Sequence, residues 1–370
     1  MLLVRFLFPG DAHERKLKAS GFPRDYARAL AAAARRHPHW TFTPLAVTSL
    51  DSRYVWDYCV HMETDASPSR SLVPGSDRYL RYAHPSDRRE YDSGFRRASK
   101  AAVEHFMDPR NFLDEQGLFQ FLDLSFDGRI ESAHVRSVLR GTFMEKMKLE
   151  NGLELAEYLI GIGRELDVNA LHLASRIRQE QGVKEGPLVS GSCGEKLAHY
   201  IAGDIQREGR FSVLTPRHWQ SYEAMAAYDG LFNFFNIEAS GSGRFAIYLA
   251  GMKEAKKGTV SMAEKWGGSP SWNTRWKALY GGAGKVASAY VKNRQNTLYL
   301  QKWNVDPRSR TAAGQSRNFW GQYMQNILAP RSESRQIYRT LAENGLLELP
   351  YRFLIPVYAG MPRLRGKAAD

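Results

Sequence analysis

Ala170-Leu-His-Leu-Ala-Ser-Arg-Ile-Arg-Gln-Glu-Gln-Gly182 is the stretch whose reading decides the fold. Leu173, Ile177 and Glu180 fall at i, i+4 and i+7, so the spacing predicts a helix with one inward face. Asp167 reads as its N-cap, and Gly182 suits the C′ position that ends a helix. Glu180 therefore continues an apolar face and stands at the negative end of the helix dipole. That position and partial burial both disfavour a charged carboxylate. A carboxyl group that keeps its proton near neutral pH is what general-acid chemistry requires. Taken alone, the stretch fits equally a solvated Glu at a frayed helix end, and that is the commoner case.

Working outward, a helix is expected from Pro23 at N1 to about Arg36, with Phe22 and Tyr26 forming a staple across its start. Residues 10–21 read as a polar linker, and His37 to Pro44 as an extended aromatic segment. Residues 64–92 read as a long loop. Further helical spacing covers about 93–106, which stops before Pro109, then 111–126, 131–139, 152–165, 195–207, 246–257 and 285–291. Gly182 to Gly194 is a loop, Tyr228 to Glu238 mixes turn and strand signals, and Phe353 to Tyr358 is extended. No internal repeat is present. The fold class is mainly α (α+β).

The bulk properties bound the function. The chain has 370 residues, enough for two domains. Its 8 Trp, 18 Tyr and 18 Phe suit sugar or base stacking, although core packing is their commonest use. A net charge of +13 suits an anionic polymer, either nucleic acid or an anionic bacterial wall. The basic residues are scattered, and neither zinc-finger spacing nor an RRM signature is found, which argues against nucleic acid. Cys59 and Cys193 lie far apart and read as two unrelated thiols. The histidines make no zinc-hydrolase pattern, so neither metal nor organic cofactor is expected. No apolar run reaches membrane-span length. Met1 to Phe8 is either the remnant of a trimmed signal or a first strand.

Several segments together resemble the bacterial endo-β-N-acetylglucosaminidases of the autolysin type, the mannosyl-glycoprotein endo-β-N-acetylglucosaminidase-like group of glycoside hydrolase family 73. The segment 171–182 resembles the family helix that ends in its catalytic Glu, and Glu180 falls on that position. Phe232-Asn-Phe-Phe-Asn-Ile237 resembles the wall of the sugar cleft. Ala289 to Val305 resembles the segment carrying a Tyr that lines the site, here Tyr290. Gln322 to Ile327 with Ile355 to Tyr358 and Met361-Pro362 resembles the C-terminal end. Gly21-Phe-Pro, His37 to Phe42 and Met107 to Leu113 resemble the region preceding the catalytic domain. The chain departs from the family pattern at Lys265-Trp266, at Glu238-Ala239 and in the loop Val189 to Gly194, which bears on substrate subsites more than on the acid.

The resemblance implies a lysozyme-like catalytic domain with a small β-lobe over 146–362. An α-rich accessory domain over 21–145 precedes it, with a linker or signal remnant before and a basic tail over 363–370 after. It implies a peptidoglycan hydrolase acting at N-acetylglucosamine, outside the cell or in the wall, on glycan strands and anionic wall polymers. Glu180 is then the general acid. Asp229 either activates water or caps an Asp-Gly turn; the alternative to a second carboxylate is the substrate's own acetamido group. Glu223 and Glu238 are weaker candidates. Phe234, Phe235 and Trp266 either stack on sugars or fill the core, with one of the two Phe residues expected in each role. Asn233 and Asn236 bind an acetamido group or satisfy loop backbone. Tyr290 positions the reacting groups or makes a structural hydrogen bond. His172 and Arg176 read as a helix surface pair, and Cys193 as a thiol without a catalytic role. Rival readings are a muramidase or lytic transglycosylase, cleavage of an N-glycan core, an inactive wall-binding module, and a nucleic-acid binder.

Overall fold

Strand β1, Thr41–Val47, pairs in parallel with β4, Arg352–Tyr358, in the register Thr41↔Arg352 to Val47↔Tyr358. This pairing brings two remote parts of the chain into one unit. The computed structural model describes residues 11–48, 55–91, 94–193, 226–240, 244–322 and 325–363. Contacts divide the chain into a first unit, Met1–Leu124 with Ala289–Asp370, and a second, Ser125–Ser288. The compact units thus differ from the expected segments 21–145 and 146–362. Residues 125–145 pack within the second unit, and the chain after 289 returns to pair with β1.

In the first unit the two prolines within the paired strands, Pro44 and Pro356, are tolerated because each strand of a two-stranded sheet has a free edge. Around β1 and β4 lies an aromatic core. Trp40 contacts Phe353 at 5.0 Å, Phe119 at 5.6 Å and Tyr351 at 6.1 Å between ring centroids. Its indole N–H donates to the Leu347 carbonyl, so the polar end of the ring is satisfied inside.

Helix α1, Ala12–Ala19, occupies what reads as a linker. The Asp11 side chain caps it, and Leu17 is its one buried residue, which is why its composition looks like a loop. Helix α2, Arg24–Arg36, follows the expected bounds and buries Tyr26, Ala27, Leu30, Ala31 and Ala33. Pro23 is its N-cap rather than N1, and Phe22 stacks on Tyr26 at 6.2 Å. Helix α3, Val55–Thr64, comes next. The expected long loop contains β2, Leu72–Pro74, antiparallel to β3, Phe95–Arg97. Helix α4 spans Lys100–Met107. The helical spacing over 111–126 resolves into short 3-10 turns at Pro109–Phe112 and Gly117–Phe121.

In the second unit α5, Ser132–Val138, and α6, Leu155–Leu166, both pack against α7, Ala170–Gln181. Asp167 does not cap α7. It closes α6 in the left-handed conformation, φ 57°, and Asn169 caps α7 instead, accepting from Leu171 and His172. The tight corner needs Gly163, because a Cβ there would lie 2.5 Å from the Val168 carbonyl oxygen. Helices α8, Pro187–Ser190, α9, Arg244–Lys257, α10, Val260–Trp266, and α11, Arg275–Ala289, follow. Among the described residues all strands belong to the first unit, and Phe232 to Ile237 forms turns. The predicted helix 195–207, Met1 to Phe8 and the tail beyond 363 lie outside the described residues.

Back in the first unit, α12, Leu298–Trp303, and α13, Ala329–Glu343, complete the packing. Lys302 and Glu63 are both fully buried, with Nζ 2.9 Å from Oε2. Ser71 donates to the same carboxylate oxygen at 2.6 Å, Gln322 donates to the other, and the ammonium lies 4.1 Å from the Trp303 ring centroid. Burial pushes the Lys302 pKa down, and Glu63 opposes that shift. Removing one member leaves the other charge buried and unpaired. Lys302→Ala is expected to destabilise the fold by about 3–5 kcal/mol, read as a lower urea midpoint.

Candidate active site

The site is built where the end of α7 meets the turn Leu231 to Ile237. That turn is held in place by three anchors. The Phe232 N–H donates to the Trp272 carbonyl and the Asn233 N–H to the Leu188 carbonyl, at 3.0 and 2.6 Å. The Asn233 side chain, fully buried, accepts from the Ile237 N–H and donates to the carbonyls of Ile237 and Gly251. Phe234 and Phe235 are both buried, and the Phe235 ring occupies the space over Gly282. Both Phe residues therefore serve the core, and Asn233 is committed to backbone.

Asn236 is different. It sits in the left-handed region, φ 50°, a conformation that Asn tolerates better than most residues. Its Nδ2 donates to Glu180 Oε2 at 2.9 Å and to the Glu180 carbonyl at 3.3 Å. Gln181 Nε2 in turn donates to Asn236 Oδ1 at 2.8 Å, and to the carbonyls of Phe234 and Asn233 at 2.9 and 3.3 Å. Because Asn236 Oδ1 accepts from Gln181, its amide nitrogen must face the acid. Arg176, one turn earlier on α7, places Nη2 3.9 Å from Glu180 Oε1. The Glu180 side chain stays 25% exposed, enough to meet a ligand while Asn236 and Arg176 fix its direction. Gln181 has no role in the sequence reading. Its only signal is an amide at the last helical position before the glycine stop.

His172 and Arg176 are not a surface pair. His172 is buried, and burial followed by the Arg176 charge lowers its pKa to about 3. Its ring stays neutral in the buried first turn of α7, and its Nδ1 has no hydrogen-bond partner. Cys193 is a buried thiol, pushed up to about 12 by burial and then by the Asp229 charge, so it is no nucleophile at neutral pH. Cys59 is likewise buried and free.

Asp229 lies exposed in a turn, its N–H donating to the Ala226 carbonyl. Glu238 is exposed at φ 57°. Trp266, 42% exposed, ends α10 and meets Trp276 and Tyr280 edge-on at 5.3 and 4.7 Å. Tyr280 and Lys265 both bind Glu165, in the last turn of α6 just before α7 begins. Glu180 stands ten residues further along α7 than Ala170, roughly 15 Å at the helical rise. Tyr290 belongs to the first unit, half-buried at the start of a 3-10 turn, where its carbonyl accepts from Asn293 and Gln295. Glu223 lies outside the described residues. Among the described residues no cluster of three or more His, Cys, Asp or Glu could hold a metal.

A stretch of 264 residues, 70% of the chain, is 24% identical to the bifunctional autolysin of Staphylococcus epidermidis. The chain spans 15% of that relative's length. The crystal structure of S. aureus glucosaminidase B superposes with a TM-score of 0.50, at 18% identity, over 86% of this chain and 94% of the other. The chain has the fold of a glucosaminidase. A crystal structure of a major bifunctional autolysin matches similarly, with a TM-score of 0.49 at 18% identity over 86% and 99%. No family profile matches the chain, and no described helix is long and apolar enough to cross a membrane.

Two outcomes follow from this packing. A Cβ on Gly282 would lie 2.4 Å from the Phe235 ring, so Gly282→Ala is expected to cost about 1–3 kcal/mol in thermal denaturation. For His172 the folded pKa of about 3 lies below the free value of 6.5, so between these the unfolded chain binds more protons. Stability is then lost as pH falls below about 6.5, and His172→Leu flattens that dependence in urea midpoints measured across the window.

Proposed function

We propose that the chain is a peptidoglycan hydrolase that cleaves the glycan strand at N-acetylglucosamine, with Glu180 as general acid. The observation that carries this reading is the hydrogen-bonded arrangement of Glu180, Asn236 and Gln181 at the end of α7, in a glucosaminidase fold. Glycoside cleavage needs a proton on the leaving oxygen as the bond breaks, and a stabilised oxocarbenium-like centre. Glu180 delivers the proton from a fixed direction. Asn236 holds one carboxyl oxygen and so leaves the other for the substrate. Asn236 acts as a positioning residue rather than an acetamido ligand.

The second role falls to Asp229, activating water, or to the substrate's acetamido group. Trp266 is assigned to stack on a sugar of the same strand. The relatives are autolysins, and the strongly basic chain suits a wall bearing anionic polymers, so its place of action is the cell wall.

Digestion of purified peptidoglycan with mass spectrometry of the released ends tests the reading. New reducing N-acetylglucosamine ends are expected. Reducing N-acetylmuramic ends or anhydro ends would instead show a muramidase or a lytic transglycosylase. Glu180→Gln is expected to lower kcat by about 10²–10⁴-fold. Asn236→Ala is expected to lower kcat while KM stays near the parent value. Asp229→Asn separates the two routes, because activity independent of Asp229 favours the acetamido route.

A further inference from the structure

Trp320 is 67% exposed, the highest value among the exposed large hydrophobic side chains of the described residues. It does not stand out by accident of a loose loop. Its neighbour Phe319 has φ 63°, a conformation rare for an aromatic residue. Three buried amide side chains maintain it. Asn304 donates to the carbonyls of Arg317 and Trp320 at 2.8 and 2.6 Å. Asn318 donates to the carbonyls of Asn304 and Asp306 at 3.0 and 2.8 Å, and Gln295 to the Gly321 carbonyl at 3.0 Å. Phe319 turns inward, buried, and meets Tyr58 edge-on at 6.0 Å. Trp320 is thereby turned outward, with the Arg70 guanidinium 5.7 Å from its ring centroid. Arg70 is itself held by the Met62 carbonyl.

Strained backbone persists only where the surroundings over-determine it, and here what it presents is an indole. We infer that Trp320, with Arg70 beside it, is a binding platform for one pyranose ring of a glycan strand. The guanidinium lies over one face of the indole, and the other, open face suits the apolar C–H face of a sugar. A peptide anchor or a nucleobase is a poorer match. The first needs a pocket, and the second a run of phosphate contacts beside each stacked base. This platform belongs to the first unit, whereas Glu180 belongs to the second. The inference rests on the glycan reading of the proposed function and adds a holding site to the cutting site.

The test compares the parent chain with Trp320→Ala, Trp320→Phe and Glu180→Gln. Each is measured for co-sedimentation with insoluble peptidoglycan and for binding an N-acetylglucosamine hexamer by quenching of Trp fluorescence and by calorimetry. Trp320→Ala is expected to bind insoluble glycan about tenfold more weakly, with an unchanged melting temperature and an unchanged rate on short soluble oligosaccharides. Trp320→Phe retains part of the affinity. Equal binding by the parent and Trp320→Ala overturns the platform, as does binding to DNA or self-association that Trp320→Ala abolishes. Full cleavage by Glu180→Gln overturns the proposed catalytic reading instead, and leaves the binding comparison to stand by itself.

Discussion

The candidate site depends on one side-chain amide. Gln181 is the last residue of α7, and its Nε2 reaches across to the turn that carries Asn236. The anchors at Phe232 and Asn233 hold the start of the turn, and Gln181 adds the contact that sets the facing of the Asn236 amide. An amide suits this task because it donates and accepts in fixed directions yet carries no charge. A cation there would compete with Arg176 for the acid, and a hydroxyl would reach only one acceptor at a time. The arrangement is also directional: α7 positions Gln181, Gln181 orients Asn236, and Asn236 fixes Glu180.

Part of this was legible in the sequence. The spacing of Leu173 and Ile177 placed Glu180 at a helix end with a glycine stop, and the structure has that helix. The Ala-rich α2 and the extended segment 353–358 were also readable, because each carries its own local pattern, whereas of the expected extended segment 37–44 only Thr41 to Pro44 is strand and 37–40 turns. What was not readable depended on partners far away in the chain. Nothing local says that Phe42 lies opposite Phe353, or that Lys302 is neutralised by Glu63. The cap of α7 was misassigned to Asp167 because Asp and Asn have similar propensities, and only the corner through Gly163 decides between them. His172 was misread for a related reason. The first turns of α7 are buried all round, with Ala170, Leu171, Leu173 and Ala174 inside as well, and the spacing of His172 and Arg176 alone does not show it. The two Phe residues of the turn could not be apportioned between ligand and core until Gly282 and its neighbours were known.

The two units solve different problems. The second builds its site from helix ends and turns, where backbone groups are available to side chains. The first spends its polar residues inside: Lys302, Glu63, Asn304, Asn318 and Gln295 are all buried and hydrogen-bonded. Buried ion pairs contribute little net stability relative to apolar packing, but they penalise alternative arrangements. In this unit they surround the strained turn at Phe319, where an alternative arrangement is most readily imagined.

The pairing of β1 with β4 also has a consequence for how the chain is made. Its two strands are roughly 310 residues apart, so the pairing closes a loop that contains the whole second unit. During synthesis β1 emerges early and must wait, its hydrophobic face uncovered, until β4 is complete. The second unit is continuous in sequence and can fold during that wait. The helix bearing Glu180 can therefore form before the first unit closes, and a chain lacking β4 would carry the complete second unit and an unpaired β1. Such a strand is a site for aggregation, so the order of synthesis favours rapid completion or a chaperone at the exit tunnel.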